Sequence, residues 1–243
     1  MNADRLARAA FGATSLVVTA GLVLQLALSV TSGPDAGAFS TTPDRVVNFF
    51  SYFTVLSNVA VAATTGMLAV RLDRRSTLFR TIRLDALVGI AVTGVVFHLT
   101  LAQLQELTGW NAVADGILHT ASPILCVLGW LVFGPRGLLS RRIVLLALIA
   151  PVCWLAYTLV RGALVDDRNG DAYYPYPFMN VQEHGYPVVL ANCAAVAVLF
   201  LGICAGALWL DGRLPGIRSG GPAIRGFAAR DGGSDADAGP TPG

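Results

Sequence analysis

Long apolar segments, separated by short polar or charged stretches, recur along the chain as far as about residue 210. Six of them reach the length of about 20 residues that a helix needs to cross the hydrocarbon core of a bilayer. A single segment in lipid satisfies its own backbone hydrogen bonds only as a helix. The pattern therefore predicts an all-α fold, a polytopic membrane protein built as a six-transmembrane-helix bundle. The predicted helices cover about 9–30, 46–70, 84–105, 112–133, 143–163 and 187–210.

The second apolar segment is interrupted by polar residues within the sequence SYFTVLSN, residues 51–58. Ser51, Thr54 and Asn58 are spaced three and four residues apart, so they share one face of a helix. Hydroxyl and amide side chains in membrane helices often bond to a backbone carbonyl or to a neighbouring helix. They also line polar pockets, and the sequence leaves both roles open for these residues.

The composition agrees with a membrane protein and narrows the classes of function. Hydrophobic residues make up 54% of the chain and charged residues 13%, unlike an ordinary soluble domain. We expect membrane lipids as partners and no nucleic acid, and the oligomeric state stays open. The four cysteines have no metal-ligand spacing, and we expect neither a metal nor a cofactor. Residues 212–243 are rich in Gly, Pro, Ser and Asp, which predicts a disordered tail after a transmembrane domain of residues 1–211.

Arginine is distributed unequally between the loops. All 17 basic residues are Arg, and all but Arg45, Arg161 and Arg168 flank the helices on one side of a six-helix topology. Positively charged residues are enriched on the cytoplasmic side of membrane proteins. The distribution predicts a multi-pass protein of the plasma membrane, with both termini and the tail in the cytoplasm.

Three polar residues in different helices are predicted to lie at one depth in the outer half of the membrane. With a rise of about 1.5 Å per residue, Thr54, His98 and His119 each lie about 10 to 12 Å from the outer end of their helix. Asp115 lies one turn from His119 on the same face. Ionisable groups within a membrane usually face the bundle interior or a wet cavity. We therefore predict an outward-facing intramembrane pocket containing these four residues.

Further polar residues are predicted to line the same pocket. Tyr157 and Arg161 form an i, i+4 pair near the outer end of the fifth helix, and Asn192 lies one to two turns into the sixth. Together with Asn58 and His98, they are the candidates for substrate binding. Arg161 has two open roles, since its long side chain either reaches headgroups and water or holds a substrate carboxylate.

The outer loop DAYYPYPFMN, residues 171–180, is dense in aromatic rings. Tyrosine is enriched where membrane proteins meet the headgroup region, so these rings fit interfacial anchors. Pro175 and Pro177 stiffen an extended segment, which also fits a rigid cover over an acyl-chain pocket. The sequence does not decide between the two.

Five motifs occur in an order that resembles a known family. They are FFSYFTVLSN, VVFHLT, DGILHTASPIL, PVCWLAYTLVRGAL and YPYPF. The set resembles the Pr6Pr family of bacterial integral membrane proteins across all six helices. It is more remotely similar to the eukaryotic FAR-17a/AIG1-like androgen-induced membrane hydrolases, in which a Thr nucleophile and a His cleave fatty acid esters of hydroxy fatty acids. The resemblance implies Thr54 as the nucleophile and His119 as its partner.

The residue types suit this chemistry, because an imidazole activates a Thr hydroxyl by taking its proton and Asp115 would orient the imidazole. The resulting prediction is a lipid ester hydrolase acting on a fatty-acyl ester or another amphiphilic substrate, with the oxyanion donor left open. Two alternatives remain. One is a non-enzymatic protein that binds or transports a lipid or small solute, and the other is an electron carrier whose haem is ligated by His98 and His119.

Overall fold

The computed structural model describes residues 3–33, 35, 37–103 and 106–215. Within these residues there is no strand, and six helices are long and apolar enough to cross a membrane. This confirms the predicted all-α, six-helix architecture. The helices are Ala3–Thr31 (span 1), Phe53–Val70 (span 2), Thr77–Leu101 (span 3), Gly109–Phe133 (span 4), Arg141–Leu164 (span 5) and Val181–Asp211 (span 6).

Span 2 begins later than the apolar pattern indicates. A separate short helix, Thr42–Ser51, precedes it, and Tyr52 between the two has an extended backbone with φ −76° and ψ 131°. Thr41 caps the short helix through its hydroxyl, which accepts from the N–H of Asp44. The predicted helix 46–70 is therefore two helices, and the second starts one residue before Thr54.

Three irregularities in the spans lie close to prolines. A proline has no N–H to donate to the carbonyl four residues earlier, so it interrupts the regular hydrogen bonding of the helix. In span 4, Pro123 cannot bond to the carbonyl of His119, and Ile117–Ala121 is a π-helical segment. In span 5, Pro151 follows an interruption at Leu148. In span 6, Pro187 follows a kink at Gly185, whose φ of 72° favours glycine.

The core of the bundle is centred on span 3, the most buried of the six helices. Leu84, Val88 and Ile90 from this span are at most 1% exposed, and they pack with apolar residues of every other span. Spans 1 and 2 approach closely through small residues, as membrane helices commonly do. Ser15 of span 1, for example, donates its hydroxyl proton to the carbonyl of Ala62 across 2.8 Å.

The outside of the bundle is apolar. Large hydrophobic side chains on the outer faces are mostly exposed, and Leu99 reaches 79%. Helices of this length with an apolar exterior match a bilayer and not water. The chain is a multi-pass membrane protein. The predicted tail 212–243 is described only to residue 215, where a turn follows span 6, and the remainder lies outside the described residues.

Two ends of the bundle carry different loops. At one end, Arg8 near the start of span 1 donates to the carbonyl of Ala69 at the end of span 2 across 2.7 Å. At the same end, the N–H of Leu139, before span 5, donates to the Asp211 carboxylate that closes span 6. We call this the basic end, since the arginine-rich loops lie there. The opposite end carries the aromatic loop, and we call its residues 173–180 the roof.

Candidate functional site

An apolar pocket of about 290 Å³ lies between spans 2, 3, 5 and 6, and the roof covers it. We call it the lateral pocket. Thr93, Tyr176 and Cys193 are the lining residues with a hydroxyl or thiol, and the others are hydrophobic. The lining comprises Phe53, Val92, Thr93, Val96, Phe97, Leu101, Leu148, Pro151, Val152, Trp154, Leu155, Tyr176, Phe178, Met179, Cys193, Val196, Ala197, Phe200 and Leu201.

The pocket is open to the side of the bundle. Val152 of span 5 and Leu201 of span 6 both line it, and both are also exposed, by 62% and 47% respectively. The gap between these two helices therefore faces the region that lipid tails occupy around a membrane protein.

The roof is held over the pocket by contacts with three spans. Asn192 of span 6 donates its amide N–H to the carbonyl of Phe178 across 2.9 Å. Tyr174 packs against Gly162 of span 5 so closely that a Cβ there would lie 2.2 Å from its ring. The structure thus places the predicted substrate residue Asn192 as a support of the roof, and the roof covers the pocket as one sequence interpretation proposed.

The third contact joins the roof to Thr54. The N–H of Thr54 donates to the hydroxyl oxygen of Tyr176 across 3.4 Å. Burial raises the pKa of Tyr176 above its ordinary value, so the phenol stays protonated. Thr54 is 6% exposed and lies behind Tyr176 as seen from the lateral pocket.

The break at Tyr52 gives Thr54 an environment that the sequence pattern did not reveal. The first N–H groups of a helix have no partner within the helix and favour negative charge. Here the backbone N–H of Thr54 points to the Tyr176 hydroxyl. A carbonyl oxygen taking the place of that hydroxyl would meet this donor beside the Thr54 side chain, at a helix start that favours negative charge, as in an oxyanion hole.

Asn58 connects Thr54 to the neighbourhood of His119. Its side chain is fully buried, and its amide group donates to the carbonyl of Thr54 across 2.9 Å and to that of Leu118 across 3.1 Å. Asn58 therefore fixes the start of span 2 against the π-helical segment of span 4. This is the helix-joining role, one of the two that the sequence left open.

His119 and Asp115 are adjacent in the structure, as predicted from their spacing. His119 Nδ1 lies 2.8 Å from Asp115 Oδ1, although the ring N–H direction is not aligned for a hydrogen bond. The His119 ring also stacks on the ring of Phe97, with 4.1 Å between the two ring centroids. No hydrogen bond joins His119 to Thr54 among the residues described, and Phe97 stands between His119 and the lateral pocket.

His98 reaches the predicted depth but faces outward. It lies in the π-helical segment Phe97–Leu101, is exposed, and its Nε2 lies 3.2 Å from the Thr120 hydroxyl. Both histidines contact the ring of Phe97, at 5.2 Å for His98. The two imidazoles therefore lie at one level of the bundle, whereas the direction of the His98 side chain was not predictable from the sequence. This arrangement gives no support to a haem held by both imidazoles.

Tyr157 and Arg161 make separate contacts near the roof. The Tyr157 hydroxyl bonds to that of Ser51 across 2.8 Å. Arg161 is only 9% exposed, and its guanidinium lies over the rings of Phe39 and Tyr173 at 5.3 and 5.6 Å. Its Nη1 is buried without a hydrogen-bond partner. Neither residue lines the lateral pocket.

Comparisons with known proteins add no assignment, since no family model, curated protein or solved structure matches the chain. The resemblance to the Pr6Pr family and to the androgen-induced hydrolases therefore stays a prediction.

Proposed function

We propose that this protein binds the acyl chain of an amphiphilic lipid within the plasma membrane, with both termini in the cytoplasm. The lateral pocket is the observation that supports this proposal. Its walls are almost entirely apolar, its entrance between Val152 and Leu201 faces the lipid tails, and its volume of about 290 Å³ is near the lower end for ligand sites. Such a space suits a single chain and not an entire phospholipid.

Arg161 supports an anionic or strongly polar headgroup for this lipid. A buried guanidinium without a hydrogen-bond acceptor is costly, and the aromatic rings of Phe39 and Tyr173 offset only part of that cost. Arg161 lies on the same helix as the pocket residues Val152 and Leu155, toward the roof. A headgroup at the roof would meet this cation while the chain lies below.

A pair of tryptophan substitutions tests the binding proposal. Val196 lines the lateral pocket, whereas Val198 of the same span is 70% exposed on the outer face. With protein in nanodiscs containing a photoactivatable acyl phospholipid, Val196→Trp should abolish crosslinking and Val198→Trp should preserve it. Equal crosslinking in the two variants would contradict the proposal.

Hydrolysis of the bound ester at Thr54 is our second proposal, and the start of span 2 favours it. The Thr54 hydroxyl oxygen would attack the ester carbonyl carbon, with its proton passing to His119, while the N–H of Thr54 holds the oxyanion. Collapse would release the alcohol, which takes the proton from His119, and leave an acyl-threonine. Water that gives a proton to His119 would then hydrolyse the acyl-threonine, and the proton would return to the Thr54 oxygen. Asp115 would stabilise the imidazolium. The Tyr176 hydroxyl has to withdraw first, because it accepts the Thr54 N–H. His119 has to reach Thr54 directly or through one water, since no hydrogen bond joins the two in the resting structure.

A fluorophosphonate probe separates the two proposals. Thr54→Ala should abolish labelling of the purified protein, and Thr54→Ser should retain it. Thr64→Ala is the matched control, since Thr64 is buried in the same helix and bonds to the carbonyl of Ala60. Lipid crosslinking without any labelling of the wild type would leave the binding function and reject the hydrolytic one.

A further inference from the structure

Four charged residues converge at the basic end, remote from the lateral pocket. Arg80 and Arg83 come from the start of span 3, Arg136 from the loop after span 4, and Asp211 from the end of span 6. Arg80, Arg83 and Asp211 line a small cavity of about 10 Å³, and Arg136 packs over the ring of Trp130 beside it at 4.4 Å. That volume accommodates about one water-sized group.

Several N–H groups of this cluster are buried and have no acceptor. They include Nη2 of Arg83 and both Nε and Nη1 of Arg136. Two of these atoms converge on one place, since Arg83 Nη2 and Arg136 Nη1 each lie 3.3 Å from the position that a Cβ on Gly134 would take. Buried guanidinium donors are normally paired, so this arrangement calls for an occupant that accepts hydrogen bonds.

The charge of the cluster selects the kind of occupant. Arg80 donates Nε–H to the carbonyl of Leu138, and Arg136 donates from Nη2 to the carbonyls of Trp130 and Leu131, so neither bonds to a carboxylate among the residues described. Asp211 is the single carboxylate of the cluster, and its Oδ2 accepts from the N–H of Leu139. Its Oδ1 is buried without a hydrogen-bond partner. Three cations and one anion leave an excess of positive charge, which favours an anion over a bridging water.

We propose that the basic end binds a phosphate group, with one phosphate oxygen in the small cavity between Arg80 and Arg83 and the other oxygens toward Arg136. Guanidinium groups match phosphate geometry in a bidentate manner. Basic pockets between helices on the cytoplasmic side bind anionic headgroups, and this end is the one predicted to be cytoplasmic. The phosphate comes from an anionic phospholipid or from free phosphate, and this proposal does not depend on the function of the lateral pocket.

Native mass spectrometry of the full chain tests the site. Protein extracted from membranes that contain phosphatidylglycerol and phosphatidylcholine should retain phosphatidylglycerol preferentially. Arg83→Gln and Arg136→Gln should each weaken this retention by about tenfold or more, because each leaves a desolvated anion short of a donor. Arg141→Gln is the control, since it removes the same charge from an exposed arginine at the same end.

Two further arms complete the test. If the two lipids are retained equally, a phosphate adduct that forms in millimolar inorganic phosphate and is lost in Arg83→Gln and Arg136→Gln identifies free phosphate as the occupant. Preferential retention of phosphatidylglycerol that persists in millimolar phosphate identifies the lipid headgroup. If a Gln variant does not fold, the Lys variant at the same position and the salt dependence of the wild type take its place, because charge-based binding weakens as salt rises. Equal retention of the two lipids without a phosphate adduct, or equal loss in all three Gln variants, overturns the proposal and leaves a structural water only.

Discussion

Substitution of Gly162 by Ala should displace the roof and weaken lipid binding. The added Cβ would lie 2.2 Å from a ring carbon of Tyr174, and ordinary contact begins near 3.4 Å, so the ring has to move by about 1.2 Å. Overpacking of this kind costs about 1 to 3 kcal/mol. For a chain of this size we expect a fall in the unfolding midpoint of about 2 to 12 °C.

Gly202→Ala is the matched control for this prediction. Gly202 lies in span 6, and no atom lies within 4 Å of the position of its added Cβ. Both variants share the gain in helix propensity from Gly to Ala, so their difference reports the collision with Tyr174. Thermal unfolding in nanodiscs and crosslinking of the photoactivatable lipid are the two assays. If Gly162→Ala matched Gly202→Ala in both, the roof would not depend on this contact and the reasoning would fail.

Three other substitutions probe the contacts around Thr54 and the roof. Tyr176→Phe should lower stability by about 0.5 to 2 kcal/mol through loss of a helix cap, and it should speed fluorophosphonate labelling of Thr54 because the N–H of Thr54 is freed; unchanged labelling would count against the hydrolytic proposal. Asn58→Ala should cost about 1 to 3 kcal/mol in denaturant unfolding, since two buried carbonyls lose their donor; a wild-type midpoint would contradict this. Asn192→Ala should increase amide hydrogen exchange in residues 173–180, because the carbonyl of Phe178 is released; unchanged exchange would show that the roof is held elsewhere.

The fold was predictable because the bilayer imposes one length and one secondary structure on each apolar segment. The existence of all six helices follows from that constraint alone. The ends of the helices were predicted less accurately than their existence. Span 1 begins at Ala3 and span 3 at Thr77, because amphipathic turns extend each helix beyond its apolar segment. The helix break at Tyr52 was not predicted, because no Gly or Pro lies there. In the structure, Tyr52 contacts Tyr173 and Tyr176 of the roof.

The common level of Thr54, His98 and His119 was predictable from the sequence, whereas the direction of their side chains was not. Rise per residue places Thr54, His98 and His119 at one level, and the shared contacts of Asn58 and Phe97 are consistent with that level. The rotation of each helix depends on packing that periodicity does not specify in a segment apolar on every side. His98 therefore points outward, although it was assigned to the pocket. The lateral pocket itself depends on a gap between spans 5 and 6, and no motif encodes it.

Tyr176 determines how the two proposed functions are related. Its ring lines the lateral pocket, while its hydroxyl oxygen accepts a hydrogen bond from the Thr54 N–H at the start of span 2. While it stays in place, an acyl chain can occupy the pocket but its ester cannot reach Thr54. Hydrolysis therefore requires a motion of the roof, which would break contacts that include those of Tyr174 with Gly162 and of Phe178 with Asn192. Binding is the property of the resting structure, and catalysis would be the property of a state in which these contacts loosen.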